Sequence, residues 1–114
     1  MKRTSILLGL AVAALPGGVL AATPQQIAAG EKIATMKALG NCVACHSFAG
    51  AVEPGDVGPA LKNVKAMIPD RKTFYAIVFD EQARNPQTVM PAFGKNLILT
   101  PTQINEVIDF LYTK

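Results

Sequence analysis

The sequence predicts a single all-α domain. Three observations carry that expectation. No stretch of the 114 residues shows convincing strand alternation. Two segments, Thr23-Pro24-Gln25-Gln26 and Thr100-Pro101-Thr102-Gln103, each place a hydroxyl at N-cap, proline at N1 and glutamine at N3, the pattern of a capping box. After the second, Ile104, Val107, Ile108 and Leu111 recur at helical spacing as one apolar stripe.

Residues 1 to about 21 read as a secretory signal peptide ahead of the domain. Lys2 and Arg3 are its basic start, Ile6 to Leu15 its apolar core, and Val19-Leu20-Ala21 a small-residue cleavage site, with Ala22 the next candidate. The apolar run is short and broken by Pro16-Gly17-Gly18, which makes an uncleaved membrane anchor the weaker alternative. Residues 22–114 form the domain, about 93 residues with one modest core. Its first helix, capped by Thr23, should run to about Leu39 and stop at Gly40. A short helix is expected near Leu61 to Met67, ended by Pro69. Asp70 is a candidate N-cap for a helix from Arg71 to Ala83, with Phe74, Ile77 and Val78 facing inward. The last helix should reach Tyr112. Gly30 is a candidate for tight contact with Phe110 or Tyr112 across the first and last helices. The alternative is an ordinary helix glycine costing about 1 kcal/mol.

Removing Lys2 and Arg3 with the leader leaves nine basic residues against eight acidic ones, a net charge of +1. No nucleic-acid or anionic-membrane signature survives in that balance.

The most informative motif is Cys42-Val43-Ala44-Cys45-His46. C-x-x-C-H is the attachment site of a c-type haem: the thiols add across the two vinyl groups, and the histidine supplies an axial nitrogen. Cys42 and Cys45 are the only cysteines and His46 the only histidine. A structural disulfide is the plain alternative. A thioredoxin-like dithiol needs a βαβ setting that the chain does not show. A structural zinc needs four ligands where the motif supplies three. One haem c, bound by Cys42 and Cys45 and ligated by His46, is therefore expected, and its apolar bulk would enlarge a small core.

With one histidine, the second axial ligand is expected to be a methionine sulfur, the usual partner in electron-transfer cytochromes. Met1 leaves with the leader, while Met36 and Met67 read most simply as core filling. Met90 precedes Pro91, which disfavours helical backbone at residue 90, and Asn85-Pro86 stiffens the same loop from its other side. Met90 is the favoured ligand. Gly58-Pro59 is read with it: in monohaem cytochromes c of this type the proline carbonyl accepts the Nδ1 hydrogen of the ligand histidine, so Pro59 joins the site. An ordinary turn is the alternative.

Gly40-Asn41-Cys42-Val43-Ala44-Cys45-His46, Gly55-Asp56-Val57-Gly58-Pro59-Ala60-Leu61, Asn85-Pro86-Gln87-Thr88-Val89-Met90-Pro91 and Phe93-Gly94 together resemble the SoxX family, the monohaem cytochrome subunits of sulfur-oxidising SoxAX complexes. The match runs from about residue 40 to the end. It departs from the family where Ala92 stands in place of a second proline. The resemblance implies a small class I cytochrome c-like fold packed around one haem, and a periplasmic location. It also implies a haem-bearing SoxA partner, a SoxYZ carrier reached through the complex, and a downstream electron acceptor. In that family the complex couples thiosulfate oxidatively to a carrier cysteine, as an L-cysteine S-thiosulfotransferase, and the catalytic cysteine belongs to SoxA. This chain has no cysteine beyond the haem motif, so no catalytic residue is expected on it.

The same haem residues would serve a free-standing electron shuttle, in which Lys62, Lys65, Arg71 and Lys72 form a charged docking ring. A haem catalyst or gas sensor would need Met90 uncoordinated. A haem-free thiol module would need no cofactor at all.

Overall fold

The computed structural model describes residues 20–114, together with Ala13 and Gly17. The basic start and most of the apolar core of the expected leader lie outside the described residues. Among the described residues the chain forms helices α1 (Pro24–Thr35), α2 (Val64–Met67), α3 (Arg71–Asp80) and α4 (Pro101–Leu111). Two 3-10 turns, Cys42–Ala44 and Glu81–Ala83, complete the regular structure, and no strand is present. The all-α expectation holds.

Both capping boxes form. Thr23 and Thr100 accept hydrogen bonds from Gln26 N and Gln103 N, and the glutamine side chains accept from Thr23 N at 2.8 Å and Thr100 N at 2.9 Å. The start of each long terminal helix is thus satisfied locally.

The α1 end differs from the expected Leu39. Met36 is already extended, at φ −79 and ψ 128. Thr35 Oγ1 donates to the Glu31 carbonyl one turn back, a bond that competes with continued helix. The chain then folds back so that Gly40 N and Asn41 N both donate to Ile33 O. Likewise α3 gives way to a tighter 3-10 turn after Asp80, and α2 covers only the second half of Leu61–Met67. Met36 and Met67 are 41% and 47% exposed, so neither fills the core as expected.

Asp70 caps α3 as expected, accepting from Thr73 N at 2.8 Å and from the Thr73 hydroxyl. Those bonds hold its carboxyl below the ordinary value of 3.8. A depressed folded value means that the charged cap stabilises the fold above the ordinary value, and that this contribution fades as pH falls through the folded one. The melting-temperature advantage of wild type over Asp70→Ala should therefore shrink in acid below about pH 3.8. An advantage independent of pH would show that the cap does not depend on charge.

The core is built where α1 crosses α4. Ile33 and Ala34 meet Ile104, Val107, Ile108, Phe110 and Leu111, with Phe74 and Val78 of α3, Val64, Phe93 and Leu99 closing the sides. Ile104, Ile108, Val107 and Val64 are almost completely buried, each contributing about 1.5–3 kcal/mol. Gly30 sits at the crossing itself: a Cβ there would stand 1.9 Å from the Glu106 carbonyl oxygen and 2.8 Å from Phe110 Cβ. Phe110 is therefore the partner. Tyr112 packs instead on Phe74, centroids 5.4 Å apart, and donates to Ile68 O at 2.9 Å. Arg71 clamps α3 to α4 through Asp109 and Asn105.

Candidate functional site

The C-x-x-C-H segment leaves α1 through Asn41, held left-handed at φ 48, a conformation that asparagine tolerates better than most residues. A single carbonyl organises the turn beyond it: Cys45 N and His46 N both donate to Cys42 O, at 3.2 and 2.9 Å. This one turn presents both thiols and the imidazole together. Cys42 and Cys45 are both half-buried and are not joined in a disulfide. Burial pushes the Cys42 thiol up to about 11.

Residues 55–61 are laid along the motif by three backbone bonds. Gly55 N donates to Val43 O at 2.9 Å, Gly58 N to Cys45 O at 2.8 Å and Leu61 N to Ser47 O at 2.7 Å. That pairing delivers Pro59 to the histidine: Pro59 O lies 2.7 Å from His46 Nδ1. A carbonyl oxygen can only accept, so Nδ1 carries the hydrogen and the Nε2 lone pair is left for a metal. Gly58 lies directly against the ring. A Cβ on it would be 2.3 Å from His46 Cε1 and within 2.8 Å of both nitrogens. Residue order gives no sign of this cradle; the Gly-Pro pair carries a signal only through its proline.

Met90 lies on the loop between α3 and α4, half-buried against the same core that Cys42 and Val43 touch. Local bonds shape that loop: Thr88 N donates to Asn85 O, Gln87 N to Asn85 Oδ1 and Met90 N to Thr88 Oγ1. Phe48, two residues past the histidine, packs edge-on to Phe110 with centroids 5.7 Å apart, tying the motif to the α1–α4 crossing.

Among the described residues no group of three or more His, Cys, Asp or Glu side chains is placed to hold a bare metal ion. The donor set instead suits a haem. It offers two unpaired thiols on one turn, one imidazole fixed through Nδ1 with Nε2 open, and a thioether on a separate loop beside an apolar core. These residues fit the group.

The comparisons agree. Residues 25–111 match the family model described as cytochrome c oxidase, cbb3-type, subunit III. The fold superposes on the crystal structure of SoxXA from P. pantotrophus with a TM-score of 0.65 and 28% identity, covering 82% of each chain. An uncharacterized lipoprotein of Aquifex aeolicus is 30% identical over 74 residues, which is 64% of this chain and 36% of that protein. The chain thus spans little more than a third of that relative's length. The helical fold is that of a cytochrome c, and the protein carries covalently bound haem c.

Proposed function

The chain belongs to the cytochrome c oxidase cbb3-type subunit III family, and from that premise we propose that it is the SoxX-like electron-relay subunit of a periplasmic SoxAX-type complex. Electron transfer by a haem subunit follows from the family and the fold; the sulfur chemistry is the finer reading. The likeness to SoxXA over 82% of both chains carries it.

In this reading Cys42 and Cys45 would hold the haem, and His46 Nε2 and the Met90 sulfur would bind its iron. The haem supplies reversible one-electron chemistry when bound. The Pro59 carbonyl fixes the imidazole plane and makes Nε2 a stronger donor. The thioether favours the reduced state, as suits an acceptor. With both cysteines committed, no thiol remains here for sulfur transfer. The electron pair released when thiosulfate joins a SoxYZ-type carrier cysteine originates at a SoxA-like partner and leaves through this subunit to a further acceptor.

Export to the periplasm is supported by the leader read from residues 1–21, followed by the domain at 22–114. No helix among the described residues is long and apolar enough to cross a membrane.

The surface favours a docked subunit over a free shuttle. Val57 and Val89, next in sequence to Gly58 and Met90, are 67% and 76% exposed, apolar surface open to a partner. Of the basic residues a shuttle would use, Arg71 is paired with a carboxylate, while Lys62, Lys65 and Lys72 are exposed. Lys65 lies 4.2 Å over the Tyr112 ring and donates to Pro69 O. Size-exclusion of native periplasm with haem staining should find this chain co-migrating with a second haem protein. Recovery solely as a monomer would point to the shuttle.

A further inference from the structure

Residues 80–95 leave α3 and return to the core as one arm, and Met90 sits on it. The neck of that arm is closed three ways. Phe79 O accepts from both Gly94 N and Lys95 N, at 3.1 and 3.2 Å. The Phe79 ring lies so close to Gly94 that a Cβ there would stand 2.0 Å from its Cδ2. Asp80 Oδ2 pairs with Lys95 Nζ at 3.1 Å. Phe79 also stacks on Tyr75, centroids 6.0 Å apart, so the neck continues the aromatic row of α3.

Exposed ion pairs contribute little, but this one is not fully exposed. The Asp80 side chain is 13% exposed, and its Oδ1 is buried without a partner. The Lys95 side chain is 60% exposed, so the pair sits at the edge of the neck, and without Lys95 the largely buried Asp80 carboxylate would lose its side-chain cation. Bonds within the arm give it shape; the neck sets where it points. A thioether is a weak donor, so its hold on iron responds to small gains in loop freedom.

We propose that Phe79, Asp80, Gly94 and Lys95 are positioning residues that fix the Met90 arm and so set how readily another ligand displaces its sulfur. The proposal rests on Met90 being the second axial ligand. It also explains Phe93-Gly94: only a residue without a side chain fits under Phe79.

The test titrates the haem-loaded ferric protein with imidazole and follows the weak far-red band of thioether-ligated haem. Lys95→Met should bind imidazole about tenfold more tightly than wild type, the factor expected when a buried carboxylate loses its partner. Lys95→Arg, which restores the cation, should titrate close to wild type. Arg71→Met, at the opposite end of α3, should lower the melting temperature and leave the titration unmoved. The proposal is overturned if Lys95→Met titrates like wild type, or if Arg71→Met shifts the titration equally. Wild type lacking the far-red band would overturn the Met90 ligation itself.

Discussion

Gly30→Leu is expected to leave the domain unfolded at ambient temperature, with no cooperative melting transition in far-ultraviolet circular dichroism. Most small-to-large changes in a core cost about 1–3 kcal/mol because neighbouring side chains give way. Here the nearest neighbour is the backbone carbonyl of Glu106, 1.9 Å from where a Cβ would lie, with Phe110 Cβ behind it. Neither can rotate aside, so α1 and α4 must separate. Separation loosens Ile33, Ala34, Ile104, Val107, Ile108 and Phe110 together, since all belong to one buried cluster. A loss above about 4 kcal/mol, the exceptional end for one substitution, consumes most of a total near the lower end of about 5–15 kcal/mol. Even Gly30→Ala should be clearly destabilised. A Leu variant that melts like wild type would mean that the helices cross elsewhere.

Gly58→Val should disable the haem site while leaving the helices intact. The added Cβ would fall 2.3 Å from His46 Cε1, and something must yield. Moving the backbone would break Gly58 N to Cys45 O and shift Pro59 with it. Moving the ring sacrifices one hydrogen bond, Nδ1 to Pro59 O, worth about 0.5–1.5 kcal/mol. The ring yields. On the proposed ligation, a displaced imidazole no longer presents Nε2 to the iron, and outer-shell losses of this kind cost about ten- to a hundredfold in metal affinity. The haem-loaded variant should show a high-spin visible spectrum with little change in helix content. A low-spin spectrum like that of wild type would show that the ring has a second productive position.

Much of the fold is legible from residue order because its signals are local. A capping box closes within four residues, as Thr23 and Thr100 do, and C-x-x-C-H needs only its own turn. The Asp70 cap and the α4 stripe belong to the same class. Helix ends are less legible. Thr35 and Met36 stop α1 through a hydroxyl bond to Glu31 and the fold-back of Gly40 and Asn41 onto Ile33 O. No single residue type announces that arrangement. Met36 and Met67 read as core filling because hydrophobicity carries no direction, yet both are substantially exposed.

Sequence alone determined the helical class, the haem chemistry and the cast of candidate ligands, because each depends on residue type and short spacing. Tertiary structure decided how the cast is held. Gly58 cradles the imidazole, Pro59 is delivered by a backbone ladder from residues 55–61, and Phe79, Asp80 and Lys95 close the Met90 arm. These contacts join residues more than ten positions apart, and their energies rest on sub-ångström fit and burial. Neither quantity exists until the chain has folded.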